Sequence, residues 1–156
     1  MITCNFEDGN KALLRHLVVD TLVLNDNKIL MVKRTGKLLE GGKWGLVGGF
    51  VDRDETSAQA VVREVMEETG WKVKDLVLLR INDNPNRPKE DRQNIAFVYF
   101  CTATKKTGEA DWESDDQQWF GWDKLPNKDN IAFDHAEDIK LYQKYLEEPF
   151  TLPIVG

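Results

Sequence analysis

Residues 49–71, GFVDRDETSAQAVVREVMEETGW, constrain this chain more than any other stretch. They follow Gly48 directly, so a glycine pair leads into a short acidic loop and then a helix. Thr56 and Gln59 form a T-x-x-Q capping box at the helix start, and Gly70 is a natural C-terminal stop. At about 100° per residue, Glu68 lies about 40° to one side of Glu64 and Glu67 about 60° to the other. Ala58, Val61, Val62, Val65, Met66 and Thr69 are expected on the opposite, apolar side. Three carboxylates therefore crowd one arc of a helix that is greasy behind.

Like charges three and four residues apart destabilise a helix by a few tenths of a kcal/mol per pair. A cluster of that kind invites a compensating cation, and oxygen ligands favour a hard one such as Mg²⁺ or Mn²⁺. A solvated acidic face would explain three glutamates alone. It does not explain their spacing, which runs Gly49, five residues, Glu55, seven residues, then Arg63-Glu64-Val65-x-Glu67-Glu68-x-Gly70-Trp71. At ordinary residue frequencies seven such identities meet by chance in roughly one window in 10⁸. The stretch resembles the Nudix box, G-x5-E-x7-R-E-U-x-E-E-x-G-U, at every defined position.

The length of 156 residues suits one domain, 1–156, with a sizeable core. The net charge of −6 has no basic block within it, which argues against a nucleic-acid polymer as partner. Two cysteines, Cys4 and Cys101, make no disulfide framework and suit a reducing cytoplasm. No signal-like segment opens the chain, and no apolar run approaches membrane-spanning length, so no membrane partner is expected.

Residues 17–24 and 28–33 read as strands joined by turn chemistry at Asn25-Asp26-Asn27, with Asp20 interrupting the apolar run. Residues 44–47 form a short strand feeding the glycine pair, with Val47 where the family commonly has a proline that would stiffen the loop. Beyond the box, residues 73–82, 95–104 and 117–122 read as strands, and residues 83–91 as a turn-rich segment. Asp134 and Glu137 form a D-x-x-E capping box before a second helix over about residues 136–147. Strands around two helices indicate an α/β layer fold with a mixed sheet. The resemblance implies the Nudix α/β/α sandwich.

The resemblance also implies chemistry. Glu64, Glu67 and Glu68, with the backbone carbonyl of Gly48, would hold Mg²⁺ or Mn²⁺ against the phosphates of a small nucleotide. Arg63 pairs with Glu55 or holds Glu64 in its rotamer, while Glu55 has an alternative reading as a helix-dipole residue. Glu64 is the first choice for the group that takes the proton from water. Glu113 and then Asp116 are the carboxylates expected on the loop before Trp119-Phe120-Gly121-Trp122-Asp123-Lys124-Leu125-Pro126. His135 reads as an ordinary helix-start residue. A homodimer is compatible with the family's habits.

Substrate contacts are expected from exposed basic residues, Lys33, Arg34, Arg87 and Arg92, and from aromatic faces at Trp44, Phe50 and Trp119. The favoured reaction is cleavage of the pyrophosphate linkage in a nucleoside diphosphate derivative such as ADP-ribose or a nucleotide sugar. The alternatives are a sanitising (d)NTP pyrophosphatase and a non-catalytic nucleotide sensor. A complete set of box carboxylates favours hydrolysis over sensing.

Overall fold

The computed structural model describes residues 2–87 and 93–156. A hairpin of β1 (Ile2–Asn5) and β2 (Lys11–Leu14), not among the expected strands, stands apart as a two-stranded sheet. The remaining strands make one eight-stranded mixed sheet. Its central member is β3 (Leu17–Asn25), which turns through Asp26 and Asn27 into β4 (Lys28–Arg34). Both turn residues have positive φ, 46° and 60°, the twist that a two-residue hairpin needs and that Asp and Asn tolerate.

Next come β5 (Trp44–Gly45) and β6 (Val47–Phe50), then α1 (Ser57–Thr69) and β7 (Trp71–Asn82). β8 (Ile95–Lys106), β9 (Ser114–Gly121), α2 (His135–Glu147) and β10 (Ile154–Val155) complete the chain. The sheet runs β10-β7-β8-β3-β4-β5, with β6 also on β3 and β9 also on β4. β8 lies parallel to β3 over eight register pairs, Leu17↔Ile95 through Leu24↔Thr102, and so locks the central strand. Val47 is fully buried and registered against Thr21, so its loop is held by the ladder without a proline.

Alternation along β3 explains the layers. Val18, Leu22 and Leu24 point into one core, which α2 covers with Ile139 and Tyr142. Val19 and Val23 point into the other, which α1 covers with Ala60, Val61 and Val65. Asp20 shares the parity of Val18 and Leu22, so it is delivered, buried, to the α2 side. Two helices on opposite faces of one mixed sheet give the expected α/β/α sandwich.

Both ends of α1 follow the expected chemistry. Thr56 and Gln59 complete the capping box, and Gly70 closes the helix at φ 73°. The apolar side differs in detail, because Ala60 is buried whereas Val62 is 45 % exposed. At α2 the capping expectation fails. The Asp134 side chain makes no capping bond; it accepts instead from Arg87 and Asn82, because a buried guanidinium makes charge-assisted bonds to a carboxylate that a backbone N–H cannot match.

Candidate active site

A cleft of about 360 Å³ opens where the end of β6, the carboxylate edge of α1, the start of β9 and the start of α2 converge. Gly48, Gly49, Phe50, Glu64, Glu113, Arg34 and Arg87 line it, together with Asp20, Phe133 and His135.

The glycine pair sets how closely β6 and α1 approach. A Cβ on Gly49 would lie 2.3 Å from Glu64 Oε1, so the carboxylate fills the space a side chain would need. A Cβ on Gly48 would lie 1.9 Å from the Val19 carbonyl oxygen, within the sheet itself. The Gly48 N–H donates to Glu68 Oε1 at 3.3 Å, and the Phe50 carbonyl accepts from Arg63 Nη2 at 2.9 Å. The edge of β6 away from β3 therefore looks onto α1. The Gly48 carbonyl shares that edge, because the N–H and C=O of one strand residue point the same way.

Arg63 organises the carboxylates. Its guanidinium holds Glu55 at 2.7 Å, Glu64 at 2.8 Å and Glu67 at 3.0 Å. Glu55 also accepts from the Asp52 N–H at 2.8 Å, which closes the acidic loop onto the helix. Glu55 thus makes the expected pairing with Arg63 from its place directly before the α1 cap. The Arg63 hydrogen bonds hold the Glu55 carboxyl below its ordinary range.

Glu64 and Glu68 behave oppositely to Glu55. Burial pushes Glu64 up, and its bond to Arg63 does not cancel this. Glu68, only 5 % exposed, is pushed well above the usual carboxylate range by burial, then by repulsion from Glu64, Glu113 and Asp111. Burial of Glu68, and of Glu64 despite its bond to Arg63, makes these carboxylates costly to keep charged, and a further cation would offset that cost. This donor set, with a backbone edge brought close by glycine, fits a hard divalent cation. Among the described residues no three such side chains already converge on one point, because Arg63 holds Glu64 and Glu67 while Glu68 turns to Gly48. Glu67, whose side chain is 51 % exposed, is held there by Arg63 at 3.0 Å.

Across the cleft, Glu113 stands one residue before β9, and its carbonyl accepts from the Thr35 N–H. Asp116, the second choice on that loop, pairs in register with Lys33 on β4 and lies outside the cleft. Arg34 reaches the cleft from the end of β4. Its Nε donates to the Leu39 carbonyl, and its guanidinium carbon lies 5.0 Å from the centre of the Phe133 ring. Burial draws its pKa down. Among the described residues Arg34 has no ion-pair partner within 4.0 Å, so its outer nitrogens are available to an anion. Phe133 holds φ at 52°, an uncommon conformation for a bulky residue, and the observed contact gives that strain a purpose.

The floor is a buried polar network. Arg87 grips Asp134 with Nε at 2.9 Å and Nη2 at 2.6 Å, and reaches Asp20 at 3.4 Å. His135 Nδ1 accepts from the Leu46 N–H at 3.0 Å, so its proton sits on Nε2, 3.4 Å from Asp20 Oδ1. Burial opposes ionisation of Asp20, yet His135 and Arg87 outweigh it and hold the carboxyl at about 2.

Several sequence expectations need correction here. Arg87 is buried and committed to carboxylates, so it is no exposed phosphate hook. Trp44 packs edge-on against Phe120, 5.0 Å between centroids, and does not line the cleft. Trp119 does the same against Trp71 under α1. Strand alternation turned both rings into core. Phe50, 45 % exposed, remains the aromatic face at the cleft. Lys33 does not reach the cleft, and Arg92 lies outside the described residues, as do residues 88–91 of the turn-rich segment. Missed altogether were Phe133 and the role of His135 as a buried network member. The charge of Asp20 inside an apolar run was the one available signal for that network.

The family model for the NUDIX domain matches residues 14–143. An ADP-ribose pyrophosphatase of Methanocaldococcus jannaschii is 35% identical over 131 residues, 83% of this chain and 73% of that protein. A NUDIX hydrolase from Nitrosomonas europaea shares the fold with a TM-score of 0.77 at 20% identity, covering 99% of this chain and 93% of that one. The NUDIX domain of Shewanella oneidensis NrtR, solved with ADP ribose, gives a TM-score of 0.69 at 25% identity over 85% of this chain and 89% of that one. The chain belongs to the Nudix hydrolases, enzymes that cleave phosphoric anhydrides in small nucleotide substrates and generally use divalent metal ions. No helix among the described residues is long and apolar enough to cross a membrane.

Proposed function

We propose that this chain hydrolyses the pyrophosphate linkage of a nucleoside diphosphate derivative of the ADP-ribose or nucleotide-sugar type, with Mg²⁺ or Mn²⁺ held by Glu64, Glu67, Glu68 and the Gly48 carbonyl. The observation that carries this reading is the placement of two desolvated carboxylates on the glycine pair: Glu64 packs on Gly49 at the cleft wall, and Glu68, buried behind it, accepts from the Gly48 N–H. The 35%-identical relative named as an ADP-ribose pyrophosphatase supports the substrate class.

When bound, the divalent ion supplies charge neutralisation on the phosphates and acidifies its water. The chain's own residues do the rest. Arg63 fixes Glu64 beside Gly49 and keeps Glu67 within reach of the same ion. Glu64, raised by burial, is the first candidate to take the proton from the attacking water; Glu113 faces it across the cleft as the second. Arg34, splinted by Phe133 and Leu39, offers its outer nitrogens to a phosphate oxygen. Phe50 gives the base an exposed ring face.

A substrate panel tests this: ADP-ribose, ADP-glucose, NADH, diadenosine polyphosphates and the (d)NTPs, each with Mg²⁺, Mn²⁺ or EDTA. AMP is expected from ADP-ribose only with metal. Glu68→Gln keeps an acceptor for the Gly48 N–H and should retain the fold while losing at least about 100-fold in turnover. Tight ADP-ribose binding with no product would replace hydrolysis by sensing, and pyrophosphate release from NTPs would replace the substrate class.

A further inference from the structure

A second cavity, about 610 Å³, lies between the outer side of α2 and the β7–β10 edge. It shares no lining residue with the cleft, although His135 lines one and the next residue, Ala136, lines the other. Its floor is apolar, from Ala136, Leu141 and Ile154. Its charged side chains are four cations, Arg80, Lys128, Lys140 and Lys144, against the single carboxylate of Glu137. That concentration occurs on a chain whose net charge is −6.

Arg80 is built into the wall. It is 15 % exposed, with Nη1 on Asp138 at 3.0 Å and Nε on the Gly156 carbonyl at 2.6 Å. Neither bond uses Nη2, and Arg80 lines the cavity. Lys140 and Lys144 lie one helical turn apart, and among the described residues neither has a carboxylate within 4.0 Å. Lys128 approaches Glu137 only at 4.0 Å. With Arg80 answered by Asp138 and Lys128 near Glu137, Lys140 and Lys144 remain, two charges that match a phosphate dianion better than a single carboxylate. A fully hydrated anion would leave the apolar floor unused.

We propose that this groove is a second ligand site that takes a phosphate monoester on an apolar body, of mononucleotide size. The cavity volume falls in the usual range for small-molecule sites. The phosphate would lie among Arg80, Lys140 and Lys144, and the body on Leu141 and Ile154. This claim does not depend on the reaction in the cleft.

The test is an amide NMR titration of the metal-free full chain with AMP, and separately with inorganic phosphate. Saturable shifts from AMP at amides 140–144 and 154–156 are expected, weakening with added salt. Lys140→Glu with Lys144→Glu, both exposed, should keep a dispersed spectrum and weaken AMP at those amides about ten-fold. Shifts confined to Gly48, Gly49 and the cleft would overturn the proposal. So would an equal response to inorganic phosphate, which would remove any role for the apolar floor, or unaltered affinity in the double variant.

Discussion

Adding one methyl group to either glycine of the pair should damage different properties of the protein. In Gly48→Ala the new Cβ falls 1.9 Å from the Val19 carbonyl oxygen and 2.9 Å from its carbon, both backbone atoms of the central strand. Backbone in a ladder flanked by β8 cannot step aside, so β6 itself must move. Overpacking of this kind costs about 1–3 kcal/mol, and a backbone collision belongs at the top of that range. For a chain of this size that lowers Tm by roughly 6–10 °C. In Gly49→Ala the Cβ meets Glu64 Oε1 at 2.3 Å and the Glu64 carboxyl carbon at 2.5 Å. These atoms end a flexible side chain, which can rotate away at the cost of its 2.8 Å bond to Arg63. The expected stability loss is about 1.5 kcal/mol, the low end for a bond between charged groups, because Arg63 keeps Glu55 and Glu67. Turnover, in contrast, should drop about 100-fold, because a displaced Glu64 can no longer serve the site. Calorimetric melting and metal-dependent ADP-ribose turnover, measured on both variants, separate the two. Comparable Tm losses in both, or an active Gly49→Ala enzyme, would refute the view that Gly48 serves the sheet and Gly49 serves the carboxylate.

Arg87→Met should be among the most destabilising single changes, by about 3–5 kcal/mol, since it strands Asp134 and Asp20 without their cation; a urea midpoint close to wild type would contradict the buried network. Asp138, fully buried, has its pKa pushed up to about 7, first by burial and then by Asp20, which the Arg80 bond at 3.0 Å does not offset. The folded protein then holds a proton that the unfolded chain releases, so this group makes stability fall as pH rises from about 4 to 7. Asp138→Asn should flatten that part of the stability–pH curve, and an unchanged slope would count against it. Arg34→Ala should raise KM for ADP-ribose about ten-fold or more with little change in Tm; a pure kcat loss would assign Arg34 a different task.

Much of this protein was legible in its sequence because local rules dominate there. The α1 caps, the Asp26-Asn27 turn and the box spacing depend on residues a few positions apart, and each appears where those rules put it. Helical period alone placed Glu64, Glu67 and Glu68 on one arc, and dense runs of β-branched and aromatic residues placed β3 and β8 in the sheet. Tertiary structure decided what periodicity cannot see. It turned Trp44 and Trp119 into core by the direction each strand face happens to point. It took the Asp134 carboxylate from the helix cap and gave it to Arg87, 47 residues away, because a buried charge must find its partner wherever the sheet delivers one. It also aimed His135 at Asp20 and set the Phe133 ring beneath Arg34. The sequence determined which charges the site would carry. Only the packing of β6, α1 and α2 around β3 determined which of them lost their water, and loss of water is what separates the buried Glu68 from the exposed Glu67.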